Sequence, residues 1–171
     1  MSGKQTSGQL KGKSMITWLW LSVVVVVADL LTKYFASTNL EYAIPVAVFP
    51  CFNLTLLHNT GAAFSFLASE SGWQRWFFAI LASVVSIALI RWLATLRDDP
   101  WMGVAIALIL GGALGNLYDR ITLGYVVDFL HFYWNDNHFP AFNIADSAIT
   151  IGAGLMIIDV FKSKKPEDQT A

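Results

Sequence analysis

The sequence predicts an all-α membrane protein: a four-helix transmembrane bundle, N-in/C-in, with a small extracytoplasmic β-rich subdomain. Three observations predict it. Of 171 residues, 56% are hydrophobic and only 13% charged, with a mean hydropathy of +0.55, whereas soluble domains carry about 25% charged residues. Four apolar runs, roughly 15–36, 73–96, 101–118 and 142–161, approach the ~20 residues that a ~30 Å hydrocarbon core requires. Basic residues gather on one side of these runs. Lys4, Lys11 and Lys13 precede the first, Arg91 and Arg97 close the second, and Lys162, Lys164 and Lys165 follow the fourth, while the alternate loops hold only Arg120, with Arg75 just inside the second run. The positive-inside rule then puts both tails, 1–14 and 162–171, in the cytoplasm and both longer loops outside. The net charge of −1 gives no reason to expect nucleic acid, and the single cysteine, Cys51, excludes an internal disulfide and any CxxC metal site.

Each element follows in order. The basic tail ahead of the first run resembles a secretory signal, but Asp29 and Lys33 interrupt its far end and no small-x-small cleavage site follows, so an uncleaved first span is expected. In the outer loop 37–72, β-branched and aromatic residues partly alternate over 42–49 and 52–56, punctuated by Pro45 and Pro50. That pattern suits short or edge strands in a small sheet at the membrane surface, with Phe64, Phe66 and Leu67 near lipid. The third run is the shortest and would stand nearly upright. Its Gly111-Gly112-Ala113-Leu114-Gly115 permits close helix contact, and Ala148 with Gly152 offers a matching face on the fourth. Tryptophans 18, 20, 92 and 101 fall at the inner ends, and 73, 76 and 134 at or beyond the outer ones, as an interfacial belt requires. Residues 119–141 read as a second outer loop, so 15–161 forms one membrane domain.

Acids inside such a chain are expensive, and each therefore needs an explanation. Asp29 has Lys33 four residues on, on the same helical face, which suits a structural or positioning pair. Asp119 beside Arg120 suits a helix-end or network residue, and Asp136 a solvated loop. Asp159 has Lys162 three residues later as a surface partner, while Asp98, Asp99, Glu167 and Asp168 are cytoplasmic, and Glu41 and Glu70 are loop residues. Two acids remain. Asp128, in Val126-Val127-Asp128-Phe129-Leu130, and Asp146, in the opening turns of the fourth run, both belong at the outer boundary among apolar neighbours. If they meet, they titrate together, one activating water and the other donating to a scissile carbonyl. A proton relay and a structural network account for the same residues equally well.

Five ordered blocks bear on that choice: Asp29-Leu30-Leu31-Thr32-Lys33; Asn59-Thr60-Gly61-Ala62-Ala63-Phe64-Ser65; Gly111 to Arg120; Val126-Val127-Asp128-Phe129; and Phe142-Asn143-Ile144-Ala145-Asp146-Ser147. In this order, across nearly all of 15–161, the chain resembles the bacterial lipoprotein signal peptidases, or signal peptidase II, a family of membrane aspartic endopeptidases. The resemblance implies removal of signal peptides from diacylglyceryl-modified prolipoproteins just before the lipidated cysteine, with Asp128 and Asp146 as catalytic dyad. It places Asn59, Asn116, Arg120 and Asn143 around the site, with Asp29, Lys33 and Gly115 in supporting motifs. No metal or organic cofactor is implied. The implied partners are prolipoprotein substrates, membrane lipids and inhibitors of the globomycin type, and the chain is expected to act as a monomer in the bacterial inner membrane with its site facing the outer leaflet.

The residues' own chemistry admits this. Asn116 and Asn143, at the end of the third helix and the start of the fourth, are placed to bond substrate backbone or orient the aspartates. Arg120 suits either a substrate carbonyl or a helix-end salt bridge, and Asn59 either the site or its Gly-containing turn. The outer strands and the 119–141 loop are placed to clamp a lipid-bearing substrate. Cys51 with His58 makes a poor thiol-protease pair, His131 and His138 lack metal spacing, and Ser65, Ser69, Ser71 and Ser147 lack a Ser-Lys or Ser-His arrangement. Two other classes remain open on residues alone. One is a proton-coupled transporter using Asp29, Lys33 and Asp146, against which the acids' clustering at one leaflet speaks. The other is an assembly subunit glued by polar residues.

Overall fold

The computed structural model describes residues 12–61 and 72–163; Phe64, Phe66, Leu67 and the outermost basic residues of both tails lie outside them. A 3-10 turn at Met15–Trp18 leads into helix α1 (Leu19–Asn39). Strands β1 (Val46–Phe49) and β2 (Phe52–Asn59) follow, then helices α2 (Trp73–Thr95) and α3 (Pro100–Thr122). Strands β3 (Val126–Trp134) and β4 (Asn137–His138) precede helix α4 (Ile144–Ser163). All four helices are long and apolar enough to cross a membrane.

Helix α3 is the axis of the bundle. In its span 56% of residues are buried, against 17–22% in the other three, so α1, α2 and α4 each pack against it and turn their outer faces to lipid. Those faces carry Val23, Val27, Leu31, Ile80, Val84 and Ile157, each at least half exposed, a pattern untenable in water and appropriate to a hydrocarbon solvent. Contact with α3 is close because its glycines leave no Cβ. One added at Gly112 would come 2.3 Å from the Ala145 carbonyl oxygen, and at Gly111 2.9 Å from that of Ser22. Gly152 on α4 answers from the other side, 2.7 Å from the Ala105 carbonyl. The glycines thus serve packing, as the small-residue pattern predicts. Away from the sheet, Met15, Leu89, Leu93, Met102, Ile106 and Leu110 close the core.

The third helix is not the short, upright one expected. It starts on Pro100, with the Asp99 side chain accepting from the Met102 N–H at 2.9 Å, and runs four residues beyond 118. It continues because Asp119, which suited either a helix end or a network, is the network residue, buried and ion-paired, and because Arg75 of α2 bonds the free carbonyls of Arg120 (2.7 Å) and Ile121 (2.6 Å) at its end.

At the opposite end from the tails lies a four-stranded antiparallel sheet in the order β1-β2-β3-β4. The β1–β2 hairpin falls where the alternation predicts, turning at Pro50 and at Cys51, whose φ is +72°. Residues 126–134, taken as loop, form the central strand β3 instead. Its partner β2 lies on the far side of two helices in the chain, with Asn59 opposite Val126 and Leu57 opposite Asp128. Beyond β3, the backbone of Phe142 exchanges hydrogen bonds with Leu130 at 2.8 and 3.0 Å, which brings the start of α4 against the strand.

Candidate active site

Both aspartates are positioned by backbone that the chain cannot easily shift. Asp128 stands on β3, buried to 2% exposure. Asp146 occupies the first turn of α4, half-buried. The N-terminus of that helix is built on Asn143. Its side-chain oxygen accepts from the Asp146 N–H at 2.9 Å, and the Asn143 N–H lies 3.4 Å from Asp146 Oδ2, a reciprocal capping arrangement. The same Asn143 turns its amide nitrogen to Asp128 Oδ1 (2.8 Å), Val127 O (3.2 Å) and Asn116 Oδ1 (3.1 Å). One wholly buried amide therefore touches both aspartates.

Two further amides complete the shell. Asn59, diagonal to Asp128 across the β2–β3 pair, donates to Asp128 Oδ2 at 3.0 Å while its oxygen accepts from the Gly61 N–H at 2.9 Å. The Gly61 φ of +98° makes that turn possible. Asn116 donates to Asp146 Oδ1 at 2.7 Å, and its oxygen faces the Lys33 ammonium at 3.0 Å. The same logic governs all three: each amide oxygen meets a donor, and each amide nitrogen is thereby aimed at a carboxylate.

Behind them lies a buried ionic cluster. Lys33 Nζ is 2.7 Å from Asp29 Oδ2 and 2.9 Å from Asp119 Oδ2, with all three side chains at 4% exposure or less. The cluster also grips backbone next to the pair. Asp119 accepts from the Val127 N–H at 3.0 Å, and Asp29 from the Ala145 N–H at 2.9 Å. Each acid thus ties down the residue immediately before one of the two aspartates. Gly115 is required here as well, since a Cβ would come 2.5 Å from Asp29 Oδ2.

Burial, and next the charge of Asp146, push Asp128 up to about 7, with the Asn59 amide, Lys33 and the Asn143 amide pulling the other way. Arg120 stands beside both, within the electrostatic reach of Asp146, Asp128 and Asp119. Its guanidinium lies over the Phe78 ring at 5.3 Å and donates to Asn116 O at 3.3 Å. No Arg120 salt bridge forms among the described residues, which removes the helix-end ion pair as its explanation. Other expectations also shift. Lys162 lies over the Trp101 ring at 4.6 Å, and no ion pair joins it to Asp159. Cys51 and His58 sit at opposite ends of β2, roughly 20 Å apart along a strand, so no thiol dyad forms. His131 and His138 meet each other at 3.1 Å, and His131 meets Thr55 at 3.0 Å. Among the described residues, no group of three or more His, Cys or acid side chains is arranged for a metal ion.

Sequence reasoning found Asp29, Lys33, Asn59, Asn116, Arg120, Asp128, Asn143 and Asp146, and all eight converge. It missed Arg75 as the cap of α3 and the backbone ties made by Asp29 and Asp119. The position of Arg75, a cation just inside an apolar span opposite the end of α3, was the available signal.

Four membrane-length helices under a small sheet, with a carboxyl pair held by amides at their junction, define an integral membrane protein with a hydrolase-like polar centre. Residues 21–162 match the family described as signal peptidase (SPase) II. The chain is 58% identical over 159 residues to a lipoprotein signal peptidase of Acinetobacter baumannii, covering 91% of this chain and 90% of that one. It is 56% identical over 156 residues to a lipoprotein signal peptidase of Pseudomonas putida, covering 90% and 91%. A bacterial membrane enzyme solved by the in meso method at 2.3 Å resolution superposes with a TM-score of 0.79 at 35% identity, covering 95% of this chain and 99% of that one. A second, at 1.9 Å, gives 0.76 at 37% identity, covering 89% and 97%. The chain belongs to the signal peptidase II family and is a protease.

Proposed function

We propose that this protease removes signal peptides from diacylglyceryl-modified prolipoproteins, cleaving before the lipidated cysteine with Asp128 and Asp146 as catalytic dyad. The single observation that carries the reading is the Asn143 side chain, which donates to the Asp128 carboxylate and caps α4 at the Asp146 N–H, so that one buried residue holds Asp128 and the helix turn bearing Asp146 side by side. Asp146 is the base of the pair. It lies in the positive first turn of α4, accepts from Asn116, and is nearest in effect to Arg120. Asp128, buried and lifted to about 7, carries the shared proton.

The steps balance. Asp146 takes a proton from water as the water oxygen attacks the scissile carbonyl carbon, and Asp128 gives its proton to the carbonyl oxygen, leaving a neutral gem-diol. The C–N bond then breaks. Asp146 returns its proton to the leaving nitrogen and Asp128 recovers one from a gem-diol hydroxyl, so one water is consumed and the dyad is restored. Arg120, at the lip of the polar centre, holds a substrate carbonyl by charge-assisted hydrogen bonds. The distribution of basic residues supports N-in/C-in insertion in the bacterial inner membrane, which sets the dyad at the outer leaflet, where water and a lipid-anchored peptide meet. Globomycin-type cyclic peptides fit the same reading as substrate-like inhibitors, and nothing in the cleavage requires a second copy.

The test is cleavage of a lipid-modified prolipoprotein by the purified, reconstituted protein. Asp128→Asn and Asp146→Asn should each lower kcat by at least about a thousandfold, in keeping with loss of a general acid or base, with KM little changed. Near-normal turnover by either variant removes the dyad. No cleavage by the unmodified protein removes the substrate assignment.

A further inference from the structure

Lys33 is a costly residue that takes part in no bond-making or bond-breaking step of the chemistry just described. It sits near the sheet end of α1, 3% exposed, in a segment otherwise composed for lipid. An ammonium has N–H donors and no acceptor, and here it donates to Asn116 Oδ1 at 3.0 Å and is ion-paired with Asp29 Oδ2 at 2.7 Å and Asp119 Oδ2 at 2.9 Å. Two carboxylates already suffice to neutralise a buried cation. The third contact is to a neutral amide, and that amide's other end is bonded to Asp146 at 2.7 Å.

An asparagine amide has two orientations related by a half-turn, of similar shape and opposite hydrogen-bonding sense. For Asn143 the choice is made by the backbone, because its oxygen caps α4. For Asn59 it is made by the Gly61 N–H. Asn116 lies mid-helix in terms of its own backbone, with no N–H of its own to cap. Its orientation is set from outside, by Lys33 together with the Asn143 amide at 3.1 Å. Turned the other way, its oxygen would face the Asp146 carboxylate, and its N–H groups would face an ammonium that accepts nothing.

Building on the dyad reading, we infer that Lys33 is a positioning residue for the aspartate pair: it locks the Asn116 amide with its N–H toward Asp146. Asp29 and Asp119 extend the same control, since each bonds the N–H just ahead of one aspartate, at Ala145 and Val127. Lys33 therefore touches no substrate and governs turnover through Asn116.

The experiment is a double-mutant cycle on the reconstituted protein: Lys33→Met, Asn116→Ala and the pair, with kcat and KM for a lipid-modified prolipoprotein. Expected is a fall in kcat of about 100-fold for Lys33→Met, with KM within about threefold of the unmodified protein and with no further loss when Lys33→Met is added to Asn116→Ala. A residue that only supports the fold would lower the active fraction and leave the kcat of folded protein intact, and its effect would multiply with that of Asn116→Ala. Should Lys33→Met fail to fold, Asp29→Asn/Lys33→Met/Asp119→Asn leaves no ionic charge in the cluster and provides the same measurement. A kcat within about threefold of normal in either folded protein, multiplicative losses, or failure of both to fold overturns the positioning role. If Asp128→Asn or Asp146→Asn still turns over, the dyad itself falls. If both are inactive and Lys33→Met cleaves normally, the positioning role alone falls.

Discussion

At the scale of single residues, the protein's chemistry is a matter of which atoms can donate. Asp128 is the clearest case: its folded value of about 7 lies far above the ordinary 3.8, so the folded chain holds this proton more tightly than the unfolded chain. The carboxyl is fully compatible with the fold below about pH 4, and its stability contribution erodes as pH rises toward 7. Melting followed from pH 4 to 7 should therefore show the unmodified protein losing stability relative to Asp128→Asn, whose amide cannot ionise. Turnover has the same sign, declining as pH rises through about 7 because the acid form of Asp128 is spent. A melting difference that does not change over this range would remove the assigned proton. The acids were legible in the sequence because charge in an apolar run is conspicuous, and sorting them by nearby cations left this pair. The amide orientations were not legible. An asparagine's rotamer depends on donors that arrive from three other elements, and Lys33 reaches Asn116 from 83 residues away.

At the scale of elements, α3 determines how near its neighbours come. Gly115 is the informative position, because a methyl there meets the carboxylate of Asp29 at 2.5 Å and Ala145 at 3.5 Å, and both lie behind the aspartates. Gly115→Ala should cost about 1–3 kcal/mol of stability as an overpacked contact and should lower turnover further than that loss alone explains, since Ala145 adjoins Asp146. Thermal unfolding compared with the kcat of the folded fraction checks it, and unchanged kcat would confine the effect to packing. Helix runs and the β1–β2 hairpin were readable because their periodicity is local. Strand β3 was not. The acid within Val126-Val127-Asp128-Phe129 breaks its apolar pattern, and the strand that completes it lies on the far side of α2 and α3. The aromatic and β-branched content of 125–134 was the signal available.

At the scale of the whole molecule, two solvents meet at one end of the bundle. The sheet side holds every candidate site residue, and among the described residues Lys13, Arg91, Arg97 and Lys162 lie toward the other end. If positive-inside governs insertion, a cysteine placed in the described tail at Lys13 should react only with membrane-permeant thiol reagents in intact cells, and one at Asp136 with impermeant reagents too, both in a Cys51→Ser background. The reverse labelling would invert the topology and set the dyad at the inner leaflet. Charge alone gives the expected orientation that this labelling tests, whereas the joint between sheet and bundle had no signal in the sequence. That joint rests on backbone pairs such as Leu130 with Phe142, which carry no side-chain signature.

The pairing of β2 with β3 also bears on how the protein comes into being. Asn59 and Asp128 are 69 residues apart, and Asp146 comes later still. A chain emerging from the ribosome inserts α1, lays down the first hairpin, and must thread α2 and α3 before the central strand exists to receive it. Until α4 follows, Asn116 has no aspartate to serve and Asp128 lacks the hydrogen bond from Asn143. If Asp128 and Asp146 are the dyad proposed above, a hydrolase embedded among other nascent membrane segments stays inert throughout its own synthesis, and gains its cutting power only when the last helix arrives.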